Sequence, residues 1–476
     1  MRVLTDPADT GAVTLALPED VQTEAFEWPE AFLEPRVWTV YRRPPAPEAL
    51  ARAVELIRAA RRPLIVAGGG VIYSEATAAL RTFAEAAGIP VCETQAGRGA
   101  LVSDHPLSLG AVGATGTAAA NRLAWEADLV IGIGTRYQDF TTASKSAFQD
   151  PDVRFVNVNV ASLDAVKHSG LALEADARVA LEQLQASLDG HHADPEWTAR
   201  AATEAEEWAR EVVRVTAPRA DGELPNQAAV IAAVNDAAGE TGVVVCAAGS
   251  MPGDLHKLWR ARDPLGKGYH VEYGYSCMGY EIPGGMGIKL AAPEREVYVM
   301  VGDGSYLMLP GDLTTAVAEG IPLVILLVDN HGYASIGALS RSVGSAGFGT
   351  HYRRADGALP LDAADGAGLA APAAALPVDL ATNAESLGAR VFRARTVDDV
   401  RDALAQARGA TGPVVIHIEV DRYAGIPSYE GWWDVPVAEV SEDASVRAAR
   451  ARYEHARRAQ RTHLAPATVP EREVAR

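Results

Sequence analysis

The stretch VYVMVGDGSYLMLPGDLTTAVAEGIPLVILLVDNHG, residues 297–332, predicts the fold of the second half of the chain. Residues 297–301 and 323–328 are short apolar runs with β-branched side chains, which are typical of buried strands. The helix-forming residues 313–319 lie between them and end at Gly320-Ile321-Pro322. A strand, a helix and a second strand make a right-handed parallel crossover. We therefore expect an α/β fold built on a parallel sheet.

Polar residues follow both predicted strands, at the carboxyl edge where open α/β sheets bind ligands. Asp303 offers an anionic oxygen, Asn330 a neutral oxygen and Gly332 a carbonyl. Mg²⁺ prefers such oxygens, at about 2.0–2.1 Å, and completes its octahedron with phosphates and water. Gly302 and Gly304 let the backbone approach a diphosphate closely. A tight turn beside a buried sheet is the alternative, but the spacing of one crossover between GDGS and DNHG favours a metal site.

A Gly-Asp-Gly motif followed by an asparagine one strand–helix–strand unit later resembles the diphosphate-binding motif of thiamine diphosphate enzymes. The resemblance implies that Asp303, Asn330 and the Gly332 carbonyl bind Mg²⁺. It also implies that Ser305 lies beside the diphosphate, with Gly302 and Gly304 at the turn.

Composition limits the function classes. The chain has 476 residues, 48% of them hydrophobic, which suggests two to four domains with sizeable cores. Its net charge of −19 argues against nucleic acid or an anionic membrane surface as a partner. The widely spaced Cys92, Cys246 and Cys277 are typical of reduced thiols in a cytoplasmic protein. No signal peptide and no apolar run of 18 residues is visible, so we expect no membrane span.

The first residues are unusual for the beginning of a chain. Residues 11–21 read GAVTLALPEDV, which predicts a buried strand followed by a turn. A similar segment closes the pyrimidine-binding domain of thiamine diphosphate enzymes. We therefore expect residues 1–40 to be a remnant of that domain and a linker, with the body of the domain absent from this chain. Prolines stiffen the linker that follows.

A doubly wound α/β domain is predicted over residues 47–190. Its predicted strands are 64–67, 89–93, 127–134 and 155–160, and its first helices are 48–60 and 75–87. The glycine turns at 68–70 and 132–134 are not GxGxxG motifs opening a helix. A structural middle domain is favoured, and a bound FAD or ADP stays open as the alternative.

A second doubly wound domain, the diphosphate-binding domain, is predicted over residues 222–425. Residues 185–222 are polar and read as a linker, in which His191-His192 is more simply an exposed pair than a metal site. The strand 242–247 ends at Gly249 and Ser250, which by the resemblance contact the diphosphate; His256 is a weaker candidate. The tail, residues 426–476, carries a charged helix near 442–461, interpreted as solvated or facing another subunit.

The segment EYGYSCMGYEIPGGMG, residues 272–287, is dense in glycine. It resembles the GxxxMGFxxP segment of thiamine diphosphate enzymes. The resemblance implies that Met278 supports the cofactor in its bent shape, and that the Ser276 carbonyl and the Met278 N–H bond its aminopyrimidine. Cys277 could be read as a nucleophile, but the sequence places no His or Asp partner for it.

Four longer segments, CAAGSMPGDLHKLW, EYGYSCMGYEIPGGMG, DNHGYASIGALSRSVGSAGFGT and YAGIPSYEGWWDVPVAEVSE, resemble the trihydroxycyclohexanedione hydrolases of myo-inositol catabolism. This likeness implies hydrolytic C–C cleavage of a cyclic 1,2-dione to 5-deoxyglucuronate, with thiamine diphosphate and Mg²⁺ as cofactors and a small polyol-like diketone as substrate. It implies at least a dimer, a homodimer or tetramer, because the site of the family lies between subunits. His331 is a candidate proton donor. The activating glutamate of the family lies in its first domain, so we expect the catalytic set of this chain alone to be incomplete.

Three other functions stay open at this stage. The first is an acetolactate-synthase-like or decarboxylating enzyme on the same fold. The second is a non-catalytic subunit that binds only the cofactor. The third, least favoured, is an interaction protein that uses the arginine-rich tail.

Overall fold

A computed structural model describes residues 1–220, 222–353 and 376–464. Twelve strands in this part of the chain form two parallel sheets of six. The first sheet contains β1 (Pro63–Ala67), β2 (Val91–Glu93), β3 (Ser108–Ala111), β4 (Leu129–Ile133), β5 (Arg154–Asn159) and β6 (Leu171–Glu174). The second contains β7 (Val243–Cys246), β8 (Tyr269–Val271), β9 (Val297–Gly302), β10 (Val324–Asp329), β11 (Arg390–Ala394) and β12 (Val414–Glu419). The predicted fold of two doubly wound parallel-sheet units is confirmed.

The helices precede, connect and follow these strands. The first half carries α1 (Arg2–Thr5), α2 (Glu19–Gln22), α3 (Glu30–Leu33), α4 (Pro47–Ala59), α5 (Gly69–Tyr73), α6 (Thr77–Ala87), α7 (Ala118–Glu126), α8 (Ser162–Ala165), α9 (Ala177–Ser187) and α10 (Pro195–Val215). The second half carries α11 (Gln227–Ala238), α12 (Met251–Leu258), α13 (Glu281–Ala291), α14 (Asp303–Met308), α15 (Asp312–Ala318), α16 (Ala334–Ser342), α17 (Leu380–Ser386), α18 (Val397–Ala407) and α19 (Ala444–Arg457). No helix in the described ranges is both long enough and apolar enough to cross a membrane.

Strand order places a reversal of direction inside each sheet. The first sheet runs β3-β2-β1-β4-β5-β6, and the second runs β11-β12-β10-β9-β7-β8. The connections therefore diverge between β1 and β4 in the first sheet, and between β7 and β9 in the second. Such switch points leave a crevice outside the carboxyl ends of the strands.

Both sheets are covered by helices on their two faces. In β1, Ile65 and Ala67 belong to one apolar core, whereas Leu64 and Val66 belong to the core on the opposite face. This alternation follows from the two-residue period of a strand, and burial on both faces explains the continuous apolar runs in the sequence. The cores hold the strands rigidly, so the turns at the strand ends are held in place.

The strand predicted at residues 11–17 is wrong. The described chain shows no strand there, and Leu15 and Leu17 are 82% and 73% exposed. A strand needs a neighbour to accept and donate its backbone hydrogen bonds. Neither sheet offers one to this segment, so its apolar pattern was not enough to predict its structure.

The linker predicted at residues 185–222 is also wrong over most of its length. It contains α10, a helix of 21 residues whose N-cap is the side chain of Asp194. Trp197 in its first turn is buried and donates its indole N–H to the carbonyl of Pro63 at 2.9 Å. Burial of one face, with Trp197 packed against the first sheet, therefore stabilises a helix whose other faces are polar.

Buried hydrogen bonds join the two halves of the molecule. Gln95 of the first half donates to the carbonyl of Pro252 at 2.9 Å and accepts from the hydroxyl of Tyr269 at 2.9 Å. Arg98, also from the first half, donates to the carbonyl of Trp259. Side-chain hydrogen bonds therefore connect the two halves.

Candidate functional site

Three turns meet at the switch point of the second sheet. β9 lies between β7 and β10, so the residues that follow these three strands share one edge. They are residues 247–250 after β7, Asp303 at the start of α14 after β9, and residues 330–332 after β10. The turns predicted to bind a diphosphate and a metal therefore lie together in the crevice of the sheet.

Asp303 is fully buried, and its two carboxylate oxygens differ in their hydrogen bonding. Its Oδ2 accepts the backbone N–H of Gly332 at 2.8 Å, whereas its buried Oδ1 has no hydrogen-bond partner among the residues that the structure describes. Burial, and then the neighbouring Asp329 carboxylate, raise the pKa of Asp303. A buried oxygen without a donor is costly unless something else satisfies it. A divalent cation would do so, and the residues present therefore fit Mg²⁺.

The other two predicted metal ligands lie in the turn that Asp303 contacts. The side-chain oxygen of Asn330 accepts the N–H of Ala334 at 3.3 Å, which leaves its second lone pair available. Gly332 adopts φ 151°, and a Cβ there would lie 2.3 Å from the carbonyl oxygen of Thr350. Only glycine therefore fits at this position. The structure brings Asp303, Asn330 and Gly332 together, and their roles as ligands stay a prediction.

Acidic and imidazole groups surround this turn. Asp329 accepts the backbone N–H of His331 at 2.9 Å, and its other oxygen lies 3.1 Å from His417 Nε2. Burial alone would raise the pKa of Asp329, but its bonds to His417 and His331 outweigh burial and lower that pKa. Asp329 thus stays anionic close to Asp303, which increases the attraction for a divalent cation.

His331, the candidate proton donor, has a half-exposed side chain. Its Nε2 lies 3.7 Å from a carboxylate oxygen of Glu419, and this interaction raises the pKa of His331 despite partial burial. The raised pKa shifts the imidazole towards its protonated form, which proton donation requires. The sequence analysis did not find the contacts among Asp329, His417 and Glu419. Only Asp329 could have been suspected, because it directly precedes the predicted metal ligand Asn330.

The turn after β7 exposes helix N–H groups. Gly249 adopts φ 85°, a Cβ there would meet nothing within 4 Å, and Ser250 is the N-cap of α12 without a side-chain cap. The first N–H groups of a helix are unsatisfied unless a side chain, water or an anion accepts them. This turn suits a phosphate. His256, the weaker candidate, is instead buried further along α12, with Nδ1 2.9 Å from the Thr115 hydroxyl of the first half.

The segment before α13 lies over the Gly-Asp-Gly turn. Met278 is 39% exposed, and its Cε lies 3.4 Å from the position of a Cβ on Gly304. Ser276 adopts φ 53°, a left-handed conformation that non-glycine residues rarely take. The structure thus brings Met278 and Ser276 next to the predicted metal turn. Their contacts to a pyrimidine stay predictions.

Cys277 does not have the surroundings of a nucleophile. Its thiol is exposed, and its backbone N–H donates to Glu272 at 2.6 Å. Partial desolvation and the Glu272 carboxylate raise the pKa of this thiol, whereas reactive cysteines have a lowered pKa.

Ser305 has its hydroxyl turned into the protein. It is 4% exposed, donates to the carboxylate of Glu281 at 2.7 Å, and accepts the backbone N–H of Gly279 at 2.8 Å. The predicted contact of Ser305 with a diphosphate is untested, and its hydroxyl already has partners. Glu281 was missed from the sequence, where the only signal was an acid inside an apolar, glycine-rich run.

No group of three or more His, Cys, Asp or Glu side chains in residues 1–220, 222–353 and 376–464 is arranged to bind a metal. The candidate metal site therefore depends on one carboxylate, one amide and one carbonyl. Such an oxygen set suits Mg²⁺ better than zinc, which prefers thiolates and imidazoles.

Comparisons with known proteins agree with this geometry. The model of the thiamine pyrophosphate enzyme central domain matches residues 50–184, and that of the C-terminal TPP binding domain of thiamine pyrophosphate enzymes matches residues 247–418. The chain belongs to the thiamine pyrophosphate enzyme family.

Curated relatives place it further within that family. It is 42% identical over 473 residues to 3D-(3,5/4)-trihydroxycyclohexane-1,2-dione hydrolase 2 of Bacillus cereus (strain ZK / E33L), covering 94% of this chain and 72% of that relative. Enzymes of the same name from Bacillus anthracis (strain CDC 684 / NRRL 3495) and Bacillus thuringiensis (strain Al Hakam) are 42% and 41% identical, with the same coverage.

Proposed function

We propose that this protein is a thiamine diphosphate- and Mg²⁺-dependent hydrolase that opens the ring of trihydroxycyclohexane-1,2-dione between its carbonyl carbons to give 5-deoxyglucuronate. The observation that carries the cofactor part is the buried, unpartnered Oδ1 of Asp303 at the switch point of a TPP-binding domain. The names of the relatives support the substrate.

In this proposal Asp303, Asn330 and the Gly332 carbonyl hold the Mg²⁺, and the N–H groups of the α12 turn hold the diphosphate. Thiamine diphosphate, when bound, supplies a carbon nucleophile and an electron sink. Met278 supports the cofactor from the side of the Gly-Asp-Gly turn. His331, paired with Glu419, holds a proton at the edge of the site and donates it to an oxygen of the substrate.

The protein is proposed to act as a homodimer or tetramer in the cytoplasm on a small polyol-like diketone. Exposed apolar side chains in residues 1–41 support self-association: Leu15, Leu17, Phe26, Trp28, Phe32 and Val37. Light scattering on the eluting peak of a size-exclusion column tests the oligomeric state, and a monomer at working concentration would contradict it.

Calorimetric titration with thiamine diphosphate in Mg²⁺ tests the cofactor part. We expect the parent chain to bind, and Asp303→Ala to bind more than about 100-fold more weakly, beyond the effect typical of residues around a metal site. Asp398→Ala, at a side chain that is 87% exposed on α18, is the matched control and should bind like the parent. Equal affinity of the parent and Asp303→Ala would overturn the assignment of the site.

Mass spectrometry tests the reaction. Supplied with both cofactors and, in trans, with a pyrimidine-binding domain that carries the activating glutamate of the family, the chain should convert trihydroxycyclohexane-1,2-dione into a product heavier by one water, and should release no CO₂ from pyruvate. Release of CO₂ would instead favour the acetolactate-synthase-like alternative. Cofactor binding without either reaction would favour the non-catalytic subunit.

A further inference from the structure

Glu281 is a buried acid at the centre of the candidate site. It is the first residue of α13 and is 1% exposed. Burying a carboxyl group is costly unless hydrogen bonds compensate the loss of water. No charged partner of Glu281 is found within residues 1–220, 222–353 and 376–464, so neutral donors must supply the compensation.

Three donors converge on this carboxyl group. The hydroxyl of Ser305 lies 2.7 and 2.8 Å from its two oxygens, the N–H of Gly279 lies 3.1 Å from Oε2, and the N–H of Ala248 lies 3.4 Å from Oε1. Gly279 also donates to the Ser305 hydroxyl at 2.8 Å. The Glu281 carboxyl group thus accepts hydrogen bonds from all three of these neighbouring residues.

The three donors belong to different segments of the chain. Ala248 lies in the turn after β7, Gly279 in the segment that carries Ser276 and Met278, and Ser305 in the first turn of α14, two residues after Asp303. These are the segments assigned above to the diphosphate, the pyrimidine and the metal. Glu281 is the common acceptor of all three.

We propose that Glu281 is a positioning residue that holds these three segments in the arrangement the cofactor requires. The inference rests on the proposed function. It explains why the Ser305 hydroxyl points inward: Ser305 connects the metal turn to Glu281. It also explains why an acid stands here, since a glutamine would offer one acceptor oxygen and turn an NH₂ donor towards another donor.

The backbone of these segments needs such support. Gly249, Ser276 and Gly279 adopt positive φ of 85°, 53° and 93°. Positive φ is sparsely populated for a residue such as Ser276, and it persists only where the surroundings hold it. Segments held before the cofactor arrives lose less entropy on binding, which increases affinity.

Glu272 provides a matched comparison in the same segment. It accepts the N–H groups of Tyr275 at 3.0 Å and Cys277 at 2.6 Å, both within its own loop. Glu272→Gln therefore removes the charge and one of these two acceptor oxygens without touching the turn after β7 or α14. A change confined to one loop is expected from it.

Hydrogen–deuterium exchange followed by mass spectrometry tests the inference without cofactor. In Glu281→Gln we expect faster exchange in peptides covering residues 246–251, 274–281 and 303–308 together. In Glu272→Gln we expect faster exchange only in the peptide covering 274–281. Faster exchange of Glu281→Gln in one segment alone, or in none, would overturn the inference.

Calorimetry provides the second measurement. Glu281→Gln should bind thiamine diphosphate in Mg²⁺ about tenfold more weakly than the parent, as is typical of residues that orient metal-site ligands. If the parent binds and Glu281→Gln binds with the same affinity, the inference is overturned and the proposed function stands. A parent that fails to bind would overturn the proposed function itself.

Ser305→Ala keeps the test decisive if Glu281→Gln does not fold. It removes the hydrogen bond from the Ser305 hydroxyl to Glu281. Exchange should therefore become faster in residues 274–281 and 303–308, while residues 246–251 stay protected. Exchange of Ser305→Ala identical to that of the parent would contradict the proposed role of Glu281.

Discussion

Each of the two sheets has six parallel strands and an internal switch point, yet their crevices differ. In the first sheet, the turns after β1 and β4 fill each other's space: a Cβ on Gly68 would lie 2.3 Å from the Gly134 carbonyl oxygen. In the second sheet, a Cβ on Gly249, which follows β7, or on Gly302, the last residue of β9, would meet nothing within 4 Å. The first crevice is closed by its own backbone, and the second is open.

This difference shows that a doubly wound topology alone does not make a binding site. Glycines end strands at both switch points, but at the first they allow two backbones to touch. At the second they leave room beside an unpartnered carboxylate oxygen, that of Asp303. Open space and an unsatisfied polar group together identify the functional crevice. The contact of Gly68 with Gly134 also argues against FAD or ADP between those two turns.

The largest effect is expected where the backbones touch. Gly134→Ala places a methyl group 2.4 Å from the Gly70 Cα at φ 61°, so it adds steric overlap to a left-handed conformation. We expect a loss of about 3 kcal/mol of stability or more. Differential scanning calorimetry checks this as a lower melting temperature.

Gly190→Ala is the control for that experiment, since Gly190 has φ 72° but a Cβ there would meet nothing within 4 Å. It should lose only the conformational part, about 1 kcal/mol. Equal losses in the two variants would show that the turns after β1 and β4 are not closely packed.

The second prediction concerns Asp303, whose pKa is raised in the folded protein. Without metal, the folded state binds more protons than the unfolded state from the ordinary carboxyl pKa, near pH 4, up to the raised value. The contribution of Asp303 to stability therefore becomes unfavourable as pH rises through this window. Asp303→Asn should be more stable than the metal-free parent at pH 8, by about 2 kcal/mol, and close to it at pH 4.

Thermal melts of both proteins at several pH values measure this difference. Added Mg²⁺ should stabilise the parent and not Asp303→Asn, because binding to the folded state alone raises stability. A difference between the two proteins that does not depend on pH would show that Asp303 is not the group that titrates.

The smallest change in stability is expected at the open crevice. Gly302 has an ordinary extended conformation, φ −78°, so Gly302→Ala should change stability by less than about 1 kcal/mol. Its methyl group would occupy the space assigned to the diphosphate, and we expect about tenfold weaker binding of thiamine diphosphate. Calorimetric titration and thermal melts measure the two effects separately.

Gly412→Ala is the matched control for Gly302→Ala. A Cβ there also meets nothing within 4 Å, but Gly412 precedes β12 at the opposite edge of the sheet. It should leave affinity unchanged. Normal binding by Gly302→Ala would mean that the space beside β9 is not used by the cofactor.

Much of the fold could be predicted from the sequence where strands are long and buried on both faces, as for β9 and β10. The short or edge strands β3, β6, β8 and β11 were missed. β8 has only three residues, and β11 (Arg390–Ala394) carries two arginines and no regular alternation, so neither presents a strong pattern. The prediction at residues 11–17 was wrong in the opposite direction: the apolar pattern indicated a strand, but no strand of either sheet pairs with this segment.

The residues of the candidate site likewise fall into those that local sequence patterns predict and those that only the tertiary structure reveals. Asp303, Asn330 and Gly332 were identified from residue types and the spacing of one crossover. The network of Asp329 and His417 depends on the parallel register of β10 with β12, in which Asp329 pairs with Glu419. Register is a property of two strands far apart in sequence, so local patterns do not reveal it.

The sequence by itself determined the α/β fold through strand periodicity, and the class of protein through the resemblance of its two polar turns to a known motif, because both signals are local in the chain. Only the tertiary structure decided which crevice is open, which oxygen of Asp303 is unpartnered and why an acid stands at position 281. Those properties arise from burial and from contacts between distant segments. Removal from water, rather than residue type alone, sets the chemistry of a carboxyl group.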